Sequence, residues 1–187
     1  GDLEYVQVPP KVEVKGNSVR ITRTLADRPV LPAFGGFIGN LGHRVNRTSD
    51  SWFVSPAYHV SHSLIEDLEG GVNGKTMCQN RVVHSPTPEP PQSCHYFFLN
   101  ARDVRLDDEP LSARLIEMFR DTFLQDEDAL HEVEKFWMHD DDSDYSEFSV
   151  LADRAGLHMR SIVARRAAAE YANRNHRQAA AEPQAAE

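Results

Sequence analysis

LSARLIEMFRDTFLQDEDALHEVEKFW, residues Leu111 to Trp137, is the stretch from which the architecture is read. At about 100° per residue, Leu115, Phe119, Phe123, Leu130, Val133 and Trp137 fall in one apolar stripe roughly 80° wide, which predicts a helix with one buried face. Asp126 lies inside that stripe, between Phe119 and Trp137 on one side and Val133 on the other, whereas Glu127 and Glu134 fall toward the solvent edge. A carboxylate so placed faces the core. It must then meet a cation, a metal or a set of hydrogen-bond donors, or else end one helix and cap the next, with Glu127 and Asp128 in the new first turn.

Working outward, Asp107-Asp108-Glu109-Pro110 supplies acid and proline where a helix start tolerates both. Downstream, His139 to Asp144 reads as a solvated acidic break, lacking the glycine and the spaced acidic ligands of a calcium loop. A last helix is predicted over Leu151 to Ala172, with Met159, Ile162 and Val163 inward and Arg160, Arg165 and Arg166 outward. Residues 173–187 are polar and Ala/Gln/Glu-rich without periodicity, and read as a disordered tail after a single domain over 1–172.

Upstream the pattern changes to strands. Val12 to Lys15 and Val19 to Thr24 alternate around Gly16-Asn17 and predict a hairpin, with Arg20 and Arg23 read as solvated outer-face residues. Pro29 and Pro32 bracket a short segment before Ala33 to Gly39, which suggests an irregular pocket wall or a bulged edge strand. Arg44 to Pro56 is strand-like. His59 and His62, three apart, point to opposite faces if that segment is a strand, and read as structural or exposed. Glu69 to Gly74 is a glycine-rich loop. Strands follow over Thr76 to His84 and Ser93 to Arg102, joined by Ser85 to Pro91, whose prolines suggest a fixed connector rather than a regular element. Six or seven strands followed by two helices make an α+β fold, an antiparallel sheet with helices gathered on one face and room between them for an apolar ligand.

Composition bounds the function. The 187 residues suit one domain, and 40% apolar with 26% charged residues is ordinary for a soluble globular chain. No run of about 18 apolar residues could span a bilayer. A net charge of −9 without a basic cluster argues against a nucleic-acid partner. Cys78 and Cys94 fall in different strand segments, and without a signal peptide free thiols in a reducing, cytoplasmic setting are expected, a cross-strand disulfide being the alternative. The start at Gly1-Asp2-Leu3, without an initiator Met, suggests a tag scar or a chain cut from something longer. No phosphate loop, nucleophile elbow or paired Cys-x-x-Cys is present. The nine histidines are never four or five apart, so any complete metal site would borrow distant residues.

Val83-His84-Ser85-Pro86-Thr87-Pro88-Glu89, then Ser93-Cys94-His95-Tyr96-Phe97-Phe98 and Ala101-Arg102-Asp103, resemble the catalytic half of the Rieske non-haem iron oxygenases. The closest pattern is that of the vanillate O-demethylase and dicamba monooxygenase group, with its H-x-x-T-P-E turn and S-x-H-Y-F strand. Phe123-x-x-Asp126 and an Arg-rich final helix agree in order. The resemblance implies a helix-grip catalytic domain and a mononuclear Fe(II) held by two histidines and one aspartate. It places Asp126 at the aspartate ligand position and His84 at a histidine lining the substrate pocket, where a neutral imidazole hydrogen-bonds an oxygen of an aromatic acid; Asn80 and Val82 are further pocket positions.

This sequence departs from the family in two ways. The two iron histidines belong to a D-x-x-H-x-x-x-x-H helix upstream of the segment matching Val12 to Thr24. The Rieske [2Fe-2S] cluster needs C-x-H and C-x-x-H pairs that this chain lacks. The resemblance therefore implies the C-terminal, substrate-pocket part of an aromatic monooxygenase or O-demethylase, either truncated or paired with a separate chain that supplies the Rieske centre and the iron histidines, with a reductase supplying electrons. A non-enzymatic helix-grip module binding a small hydrophobic ligand or a partner protein is the rival, and a structural subunit filled by Phe119, Phe123 and Trp137 a third. Substrate and oligomeric state, a homo-oligomer included, stay open.

Overall fold

A computed structural model describes the backbone of residues 7–39, 42–71, 74–89, 93–139 and 148–181, and their side chains apart from 33–35, 136–139 and 176–181. Six strands form one antiparallel sheet in chain order: β1 (Lys11–Lys15), β2 (Ser18–Pro29), β3 (Arg44–Ser55), β4 (Tyr58–Asp67), β5 (Met77–Glu89) and β6 (Ser93–Arg102). Among the described residues, three longer α-helices accompany them: α1 (Pro32–Ile38), α2 (Glu109–His139) and α3 (Arg154–Ala181). The α+β class is as the sequence predicts, with six strands.

Gly16-Asn17 joins β1 to β2, and Gly16 takes the positive φ of 60° that such a tight turn requires. The alternation on β2 then sets which side of the sheet is covered. Val19, Ile21 and Leu25 share a face with Val45, Phe53, Ile65, Cys78 and Val82, and the helices cover that face. Two apolar clusters anchor the helices at separate places. One joins Phe37 and Ile38 of α1 and Leu111 and Leu115 of α2 to Val45, Ile65 and Cys78; the other joins Ala155 and Ile162 of α3 to Val19 and Phe53.

α2 begins where Asp108 caps it, its Oδ1 accepting the Leu111 N–H at 2.8 Å. The turn leading there is held by Arg102, whose Nη2 donates to the carbonyls of Arg105 and Asp108 at 2.7 and 3.1 Å. Gly71 closes the loop before β5 at φ 74°, where an added Cβ would meet the Lys75 carbonyl oxygen at 2.2 Å.

Several elements differ from the sequence reading. Ala33 to Ile38 lies in helix α1, neither irregular wall nor edge strand, because Phe37 and Ile38 bury together at the sheet's end. Ser85 to Glu89 is strand: Pro86 and Pro88 stand opposite Tyr96 and Cys94. Prolines two apart direct their missing N–H to one side, and beyond His84 that side faces no β4 residue, so no ladder bond is lost. α3 continues past Ala172 to Ala181, so residues 173–181 are helical rather than tail. Residues 182–187, the start at Gly1 to Val6, and 140–147, which include the acidic break beyond His139, lie outside the described residues, as does the side chain of Trp137.

The apolar stripe on α2 is also shorter than its pattern. Leu115 is buried and Phe119 and Phe123 half-buried, but Leu130 and Val133 are 69% and 52% exposed, because the helix outruns the sheet beneath it. On α3, Ile162 is buried and Met159 packs beside it, while Val163 faces outward. Cys78 is buried and Cys94 exposed; both are free thiols, since Cys94 lies opposite Pro88, far along β5 from Cys78.

Candidate functional site

Between the two apolar clusters the covered face is polar. The register aligns Arg23, Ser49, Ser63, Asn80 and Arg102 in one cross-strand row, then Ile21, Ser51, Ser61, Val82 and Asn100, then Val19, Phe53, His59, His84 and Phe98. Asn80, Val82 and His84, the pocket positions named from sequence, thus follow one another on the inner side of β5.

Side-chain hydrogen bonds tie these rows. Asn100 Nδ2 donates to Asn80 Oδ1 at 2.8 Å. Ser61 Oγ lies 3.1 Å from His84 Nε2, and the Tyr96 hydroxyl bonds His84 Nδ1. A neutral imidazole satisfies both, one ring nitrogen donating and the other accepting. His59 stacks on His84 with ring centroids 5.1 Å apart, and its own Nε2 is 2.7 Å from Ser51 Oγ. Above them Phe123 of α2 presents its edge geometry to three rings at once: His84 at 5.4 Å, Tyr96 at 5.3 Å and Phe98 at 5.0 Å. The arrangement is an aromatic clamp around a histidine, with hydroxyls and amides along the adjoining floor.

Electrostatics favour the neutral imidazoles. Burial pushes His59 below its ordinary value. Burial and then the neighbouring His59 push His84 down, with Asp126 opposing them. Burial and the Asp126 charge both push the Tyr96 hydroxyl up. Asp126 therefore stands within electrostatic reach of the His84–Tyr96 pair.

The placement of Asp126 corrects the sequence reading in two respects. α2 is continuous from Glu109 to His139, so Asp126 neither breaks a helix nor caps one. Its side chain is exposed rather than core-facing, because it lies one turn beyond Phe123 where the helix leaves the sheet. An exposed carboxylate needs no buried cation within this chain. Among the described residues no three His, Cys, Asp or Glu side chains gather closely enough to hold a metal ion. These residues therefore do not by themselves fit a mononuclear iron centre.

Two site residues escaped the sequence reading. His59 faces the site while His62, on the opposite side of β4, lies 3.1 Å from Gln79 Oε1 and 3.9 Å from Asp50. Opposite faces were legible; that His59 lands beside His84 depends on the β4–β5 register. Arg23 is on the inner face, with Nε buried, whereas Arg20 lies outside and ion-pairs with Asp50 at 2.6 Å. Here a signal was present, since Val19, Ile21 and Leu25 alternate inward around Arg23.

The sequence model of the vanillate O-demethylase oxygenase C-terminal domain matches residues 1–169. No curated protein sequence matches. Among solved structures, dicamba monooxygenase bound to 3,6-dichlorosalicylic acid is similar with a TM-score of 0.73 and 15% identity, over 88% of this chain and 49% of that one. The apo enzyme gives the same score and identity over 88% and 51%, and the form with non-haem iron and dicamba gives 0.64 and 16% over 89% and 52%. At such identity the likeness is one of fold, and the chain spans about half the length of those structures. Matched along most of its length, the chain belongs to the vanillate O-demethylase oxygenase C-terminal domain family.

Proposed function

We propose that this domain supplies the substrate pocket of a Rieske-type aromatic oxygenase that carries out monooxygenation or O-demethylation, and that the aromatic clamp around His84 receives the ring of the substrate. One observation carries this reading: Phe98, Tyr96 and Phe123 enclose an imidazole kept neutral by burial, beside a floor of amides and hydroxyls. Aromatic faces give the ring apolar contact, and the imidazole and Asn80 offer hydrogen bonds to its oxygens. With Phe123 seated over the clamp, α2 excludes water from the ring.

Asp126, at the rim of the clamp, is the family's carboxylate ligand position. The two histidines that would complete an iron site, the Rieske cluster and the reductase are contributed from outside these residues. Free cysteines, and described helices none of which is long and apolar enough to cross a membrane, suit a cytoplasmic setting.

The test uses the complete oxygenase with its electron-transfer partners. Substrate-dependent oxygen uptake is expected, lost in Asp126→Ala while aromatic-ligand binding is retained. His84→Ala is expected to weaken that binding about tenfold. A complete oxygenase that neither retains iron nor takes up oxygen with any aromatic substrate, yet still binds ligand, would replace this reading with that of a non-enzymatic binding module.

A further inference from the structure

Of the arginines on this sheet and its following turn, Arg20 grips Asp50, Arg44 grips Asp27, and Arg102 grips backbone carbonyls. Arg23 is different. Its Nε is buried and meets no hydrogen-bond acceptor among the described residues. A guanidinium N–H removed from water without a partner destabilises the fold, so an apolar side chain would have served it better.

The cross-strand row of Arg23 offers it no carboxylate. Its cross-strand row continues through Ser49 and Ser63 to Asn80, all neutral and polar. The acids of β3 and β4 on the opposite side, Asp50 and Glu66, are committed there to Arg20 and Asn46. On the inner side Asp67 is committed to His43 at the far end of β4, and Asp126 stands at the rim beside His84. No carboxylate among the described residues meets Arg23 Nε, although a guanidinium presents N–H groups in the fork that a carboxylate fits.

We propose that Arg23 is the anion anchor of the pocket, donating hydrogen bonds to a carboxylate on the ligand, with Ser49 and Ser63 lining its approach and Asn80 leading to the clamp. This deepens the ligand-pocket reading and rests on it. It makes the charge of the ligand, and not its ring alone, a determinant of binding.

Benzoate and its neutral isostere benzamide are the probes, titrated at pH 7 into the full chain by calorimetry and by ¹⁵N spectra that resolve the arginine Nε. Wild-type protein is expected to bind benzoate about tenfold or more tightly than benzamide, with the Arg23 Nε signal shifting for benzoate alone. Arg23→Gln is expected to remove the preference by weakening benzoate and leaving benzamide unchanged, and Arg23→Lys to restore part of it. Equal affinity for both probes, benzoate affinity untouched in Arg23→Gln, binding of neither probe, or an Nε signal that never moves would each overturn the proposal. The Nε signal is read on wild-type protein and so decides the matter even if the variants fail to fold. Oxygen uptake by the complete oxygenase is a separate measurement: its failure with the charge preference intact would sink the catalytic reading and leave the anion anchor standing.

Discussion

His84 and His59 show how burial, joined at His84 by the neighbouring imidazole, can make a pair of side chains sensitive to pH. Both are held below the ordinary imidazole value, so near pH 6 the unfolded chain binds protons that the folded chain refuses. Stability therefore rises with pH through this window and falls as pH drops below about 6.5, until the folded imidazoles themselves protonate. Urea midpoints measured between pH 5 and 8 should show that slope, and His59→Gln should flatten it by removing one of the two titrations. A midpoint unchanged by acid in the wild type would mean that neither ring is held neutral. At the same scale, the charge of Arg23 points to the outer face while the alternation of Val19, Ile21 and Leu25 places it within, and the alternation prevails.

At the scale of the element, each long helix is fixed by a few residues of its length. α3 docks through Ile162 and Ala155, and Val163 beside them is exposed. Ile162→Ala should destabilise the domain by roughly 2–4 kcal/mol, and Val163→Ala by about 0.5 kcal/mol or less, read from urea unfolding. α2 repeats the contrast along its own axis: Leu115→Ala should cost roughly 2–4 kcal/mol and Leu130→Ala about 0.5 kcal/mol or less. Comparable losses at Leu115 and Leu130 would show that the second half of α2 is as firmly packed as the first. The periodic stripe predicted a helix correctly because helical geometry is local. It overstated the buried length because the extent of a buried face depends on how far the sheet reaches, which no helical period records.

For the whole molecule, the six-stranded meander leaves β1 and β6 as edges, and β6 carries Phe97 and Leu99 exposed at 60% and 61% on its outer side. An apolar edge strand with unpaired backbone groups is a template for association. Sedimentation of this chain should show concentration-dependent self-association, reduced in Leu99→Lys; a monomer at all concentrations would show that the twist or the side chains of β6 already protect it. By itself the sequence determined the run of antiparallel strands and the two long helices after them, the Gly16-Asn17 turn, the opposite-facing His59 and His62, and the motif around His84 that resembles the oxygenase domain. Each of these is set by contacts between near neighbours or by a short motif. Only the tertiary structure brought His59 onto His84, turned the proline run into strand against β6, set Asp126 at a solvent rim, and left Arg23 facing Ser49 with no acid to hold. Those outcomes follow from register and from where one element ends over another, and pairing between distant residues is settled only when the chain closes on itself.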